Sequence, residues 1–167
     1  MQKSGFFNSN NGDRVYDASD FASYFSKLVS NGIFYTDADN LKVISGGGMA
    51  VSVQAGSAWI SGYCYENTDA LELTLDIADG VNPRIDRVIL RWSAVERNIK
   101  LAIKTGAAVS SPTAPALTRN SDVYELGLAD VAVAKGILAV NAGNITDTRL
   151  NSNLCGTVNS LISAVYE

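Results

Sequence analysis

Leu71-Glu72-Leu73-Thr74-Leu75-Asp76-Ile77 is apolar at every second position and polar between, the period of a strand with one face in a core and the other in water. Upstream, Met49, Val51 and Val53 point one way and Ala50, Ser52 and Gln54 the other. After the break at Ala55-Gly56, Trp59-Ile60-Ser61-Gly62-Tyr63-Cys64-Tyr65 reads as their antiparallel partner. Downstream, residues 85–92 and 99–103 bracket a hairpin-sized connection with charged residues at its turn. Residues 123–133 alternate less strictly, and Leu138-Ala139-Val140 reads as a short last strand. About six to eight short strands separated by Gly, Asn and Asp turns predict a mainly β fold, an antiparallel β-sandwich or barrel rather than a parallel α/β sheet.

Helical spacing is confined to the two ends. Phe21, Tyr24, Phe25 and Leu28 recur at i, i+3, i+4 and i+7, with Asp17 as N-cap, Asp20 in the first turn and Asn31-Gly32 as the stop, which predicts a helix over about 18–30. Val158, Leu161, Ile162 and Val165 share a stripe in the tail, predicting a C-terminal helix that begins a coiled coil. The expected organisation is an N-terminal arm and helix over 1–35, a β-sandwich over 36–150 and a helical neck over 151–167. Phe6 and Phe7 stand in an arm rich in Asn and Gly turn residues and need something to cover them, which makes them candidate oligomer-interface residues with Val158, Leu161, Ile162 and Val165. The irregular stretch 106–119, with Pro112 and Pro115, is long for a loop and is expected against a surface or a neighbouring subunit.

The chain has 167 residues and no His, so Ser-His-Asp and Cys-His nucleophile systems, HExxH zinc sites and His-ligated haem are excluded. A formal net charge of −4 and a sequence pI near 4.8 argue against sequence-independent binding of nucleic acid. There is no signal-peptide-like apolar stretch near Met1 and no apolar run of about 20 residues, so neither export nor a membrane span is expected. Cys64 and Cys155 stand too far apart in sequence for a metal or redox motif and are expected to be free and buried. Gly46-Gly47-Gly48 lacks the Lys-Ser/Thr of a phosphate loop, and Asp37-Ala38-Asp39-Asn40-Leu41 places a leucine where a calcium loop needs oxygen, so no cofactor is expected.

Three groups remain as candidates. Glu66, Asp69, Glu72 and Asp76 read as a solvated sheet face; the remote alternative is a carboxylate-only glycosidase. Trp59, Tyr63 and Tyr65 fall at alternate positions of one expected strand, a pattern that suits a core or interface and, as an alternative, the sugar platform of a carbohydrate-binding module. Arg84, Asp86 and Arg87 precede one strand, and Asp147 and Arg149 follow the last; without a nucleophile or metal these groups read as structural ion pairs.

The order of several short tags is more specific than any of them alone. Phe6-Phe7-Asn8-Ser9, Asn11-Gly12-Asp13-Arg14-Val15-Tyr16, Asp20-Phe21-Ala22, Ala58-Trp59-Ile60-Ser61-Gly62-Tyr63, Pro83-Arg84-Ile85-Asp86-Arg87-Val88, Ser111-Pro112, Pro115-Ala116-Leu117, Tyr124-Glu125-Leu126, Leu128-Ala129-Asp130-Val131 and Ile145-Thr146-Asp147-Thr148-Arg149 occur in sequence. Together they resemble the N-terminal, shoulder-type region of tail-fibre and baseplate receptor-binding proteins from phages and phage-like particles of Gram-positive bacteria. The resemblance implies a homotrimeric virion structural module without catalytic residues. Such a module joins other baseplate or tail proteins to a distal part that binds host-surface glycans. Assembly in the host cytoplasm followed by lysis requires no signal peptide, so the expected location is the phage tail or baseplate.

Overall fold

A computed structural model of the chain describes residues 4–162. An N-terminal arm leads into helix α1 (Ala18–Phe25). The Asp17 side chain accepts from the Ser19 and Asp20 amides while Asp20 accepts from the Asp17 N–H, so two otherwise unpaired donors are satisfied reciprocally. The helix ends short of the expected residue 30. Lys27 and Leu28 donate three residues back, to Tyr24 and Phe25, and the Ser30 N–H leaves the helix for the Asn159 carbonyl. The returning C-terminal segment supplies the competing acceptor.

Ten strands follow among the described residues: β1 (Gly32–Ile33), β2 (Val43–Ser45), β3 (Ala50–Val53), β4 (Gly56–Ile60), β5 (Tyr63–Asn67), β6 (Leu71–Thr74), β7 (Arg84–Ser93), β8 (Asn98–Lys104), β9 (Val123–Val133) and β10 (Ile145–Asp147). They form three antiparallel sheets, ordered β1-β4-β5, β10-β9-β7-β8 and β2-β3-β6. The described residues are therefore mainly β with one α-helix. One core joins all three sheets, with Ile33, Val51, Val53, Ala58, Ile60, Val88, Leu90, Leu128 and Val131 fully buried. Cys155 belongs to the same cluster. Between β7 and β9 the register slips at Val88/Ile89, so Leu128 is the extra residue of a bulge.

Four expectations are corrected. The stretch 59–65 is a hairpin and not one strand: Ser61 and Gly62 take φ of 53° and 82°, the left-handed pair of a two-residue turn between β4 and β5. A Cβ at Gly62 would overlap the Ala22 carbonyl, so glycine is what lets α1 lie on this turn. Secondly, β6 stops at Thr74, because the Asp76 and Ile77 carbonyls are taken by the Arg84 guanidinium rather than by a neighbouring strand. Thirdly, Leu138-Ala139-Val140 forms no strand. Val140 docks alone through Gly48 and Ser45, Leu138 stays exposed, and β10 is the last strand.

The fourth concerns the tail. Thr157 bridges Ile33, Ser160 bridges Val29, and Val158 and Leu161 donate to Ile33 and Leu28, so residues 157–161 run extended beside the start of the β body. Little more than one helical turn would be marginal in water, and these backbone bonds outcompete it. Val165 lies outside the described residues.

Candidate functional site

The buried charged side chains of the body are clamped, and their partners define what they can do. Arg84 Nε lies 3.0 Å from both carboxylate oxygens of Asp86, which is fully buried and also accepts from the Gly106 amide at 2.9 Å. The other Arg84 nitrogens donate to the Asp76 and Ile77 carbonyls. Arg149 Nη2 and Nε bond Asp147, while Nη1 reaches the Asn40 carbonyl at 2.6 Å and Nη2 that of Ala38 at 3.0 Å. Arg87 turns instead to Asp130, with bonds of 2.6 and 2.9 Å, and its third donor holds the Pro115 carbonyl. The proline-containing stretch is thereby pinned to its own sheet.

Glu125 and Asp130 were missed at the level of sequence. Glu125 is fully buried and accepts from Lys104, Arg91 and the Thr118 amide. Its signal was an acid inside the apolar run 123–133; the β7–β9 register, which sets Arg91 opposite Glu125 and Arg87 opposite Asp130, supplies the rest. Burial pushes the Glu125 carboxyl up, but Lys104, the Thr118 amide and Arg91 outweigh it and hold the group below the usual range. Asp147 follows the same balance, raised by burial and lowered further by Arg149. Carboxylates saturated in this way hold loops and strands in place. Among the described residues no group of three or more His, Cys, Asp or Glu could hold a metal ion.

The aromatic residues divide into separate environments. Trp59 lies on β4 opposite Cys64 and beneath α1, with its ring 5.5 Å from Phe25 and 6.2 Å from Phe34. Tyr63 and Tyr65 pair with Ile60 and Ala58, on the other face of the same hairpin. The three therefore share neither a strand nor a face. Tyr63 stacks on Trp92 of β7 instead.

Two groups of exposed apolar side chains lie towards the ends of β7, while Tyr35, Ile44, Leu71 and Leu150 are exposed elsewhere. At one end, Phe6 contacts Tyr16, Phe21 and Tyr24 with centroids 5.7, 5.6 and 5.1 Å apart. Phe6, Phe7, Phe21, Tyr24 and Phe25 nevertheless remain between 39% and 60% exposed, and Leu161 and Ile162 of the returning tail are 53% exposed. At the other end, Ile77, Val81 and Leu138 are 87%, 75% and 86% exposed on loops tied by the Gly136–Asp79 backbone bond and the Arg84 clamp. At about 3.3 Å per residue, the length of β7 separates the ends by roughly 30 Å.

The cysteines differ. Cys155 is buried, and burial pushes its thiol up to about 12, whereas Cys64 is exposed because it faces away from the core on β5. One equivalent of an alkylating reagent should enter the native protein, on Cys64, with Cys155 reacting only in denaturant. Two modified thiols in the intact mass of the native chain would contradict this burial.

Comparison of the chain with family models, with curated proteins and with solved structures finds no match.

Proposed function

We propose that the chain is a non-enzymatic structural module of a phage tail tip, a β-sandwich that joins a distal host-binding part to the baseplate or tail fibre as a homotrimer. The observation that carries this reading is the pair of exposed apolar groups on a body with one shared core. A connecting module needs two docking ends and a stiff middle, and exposed apolar patches of this kind mark contact surfaces. The arm end is the surface assigned to contact between copies. Among the described residues its hydrogen bonds are local, Phe7 with Tyr16 and Asn10 and Ser9 with Asp13, and Phe6 meets α1 through ring contacts with Phe21 and Tyr24. The ordered sequence tags support the same assignment.

Phe6→Asp combined with Phe7→Asp should dissociate the trimer, because charges would be placed on a surface that must lose water to associate. The separated chains should still melt cooperatively, at a temperature lowered only by the loss of association, since neither side chain belongs to the core. Light scattering and a melting curve on the same sample check both parts. An unchanged molar mass would remove the arm from the interface. Incubation with cell-wall glycan should release no product, and turnover abolished by one Asp or Glu substitution would overturn the non-enzymatic reading.

A further inference from the structure

A cleft of about 460 Å³ opens between the β4–β5 hairpin, the first residue of α1 and the β7–β8 hairpin. Its volume falls in the range of about 300–1,000 Å³ usual for small-molecule sites. Tyr63 and Trp92 both line it, their rings inclined by only 28° with centroids 5.9 Å apart. A near-parallel aromatic pair suits the C–H face of a pyranose ring, which is flat and apolar while its edge is polar.

Of the polar groups of the cleft, Ser93 and Asn98 are engaged with Glu96, and three donors are left without partners. The Tyr63 hydroxyl, the Trp92 Nε1–H and the Arg97 guanidinium form no hydrogen bond among the described residues. Two nearby charges are paired, Glu96 with Lys100 and Arg91 with Glu125, while the Asp17 carboxylate is held by the first amides of α1. Arg97 is the cation left over at the rim. An aromatic wall, three donors and one unmatched positive charge call for a ligand with a ring face, several acceptors and one negative charge.

We propose that this cleft binds a saccharide unit carrying one anionic group, with the sugar ring on the Tyr63–Trp92 wall and its carboxylate or phosphate on Arg97. Trp59 and Tyr65 take no part. The site is independent of the assembly role, because its residues are not those of the arm.

Cys64 also lines the cleft and is exposed, so its alkylation rate reports occupancy in the unmodified chain. Glucose, glucuronate and glucose 6-phosphate are the probes, at matched ionic strength. At least one anionic sugar should slow Cys64 alkylation at a concentration at least about threefold below that needed with glucose. Whichever of the two protects better identifies the charged group. Arg97→Gln, an exposed hairpin substitution, should erase the difference while leaving the melting curve unchanged. Absence of protection, equal protection by glucose, or a preference that survives Arg97→Gln would overturn the proposal. None of these results would alter the outcome for the Phe6 and Phe7 variant.

Discussion

Asp86→Ala is expected to lower the melting temperature by roughly 10 °C, from a loss of about 3–5 kcal/mol and the shift per kcal/mol usual for a chain of this size. Asp86 is fully buried and Arg84 is 5% exposed, so the guanidinium would be left in the interior without its counter-charge. The Asp76 and Ile77 carbonyls still accept from Arg84, but they carry no formal charge to balance it. The Gly106 amide loses its acceptor as well. A second consequence is local: the Arg84 clamp holds the loop that presents Ile77, so that end should exchange amide hydrogens faster in the variant. Thermal unfolding followed by circular dichroism decides the first part, and an unchanged midpoint would mean that the buried pair contributes nothing net.

Glu125→Ala should cost less, about 2–3 kcal/mol, because Lys104 and Arg91 are 29% and 34% exposed and regain water when their partner is removed. The same carboxylate gives stability a pH dependence whose sign is fixed. The folded group is held below its ordinary value of 4.5, so its contribution is complete above that value and is lost as pH falls through the folded value. Asp147, lowered from 3.8, acts in the same direction. Urea midpoints should therefore drop between about pH 5 and pH 3, and Glu125→Gln should flatten this acid limb. A variant with the same acid slope as the unmodified chain would exclude Glu125 as its source.

The sheet-forming segments were legible where the turn was local. The β7–β8 hairpin falls where 85–92 and 99–103 placed it, because its connection is short. The Ser61-Gly62 turn was also present in the sequence. Apolar residues on both sides make one continuous pattern that masks it, although a Ser-Gly pair between apolar runs is itself a turn signal. What one sequence could not show were the long-range partners. Residues 157–161 have helical spacing, yet Ile33, Leu28 and Ser30, more than 120 positions earlier, offer backbone and hydroxyl partners that hold them extended. Arg87 has Asp86 next to it in sequence and bonds Asp130 across the sheet, since neighbours on a strand point to opposite faces. The cleft at Tyr63 and Trp92 was hidden for the same reason: its residues come from two hairpins and the start of α1.

The absolute molar mass of the unmodified chain, followed by light scattering through a dilution series from tens of micromolar (an order-of-magnitude starting point at which strong interfaces are saturated), tests the assembly module most directly. Three times the chain mass of 17.7 kDa is expected, persisting on dilution. A mass of 17.7 kDa at the highest concentration would contradict it, leaving the aromatic arm as a surface that joins no second copy.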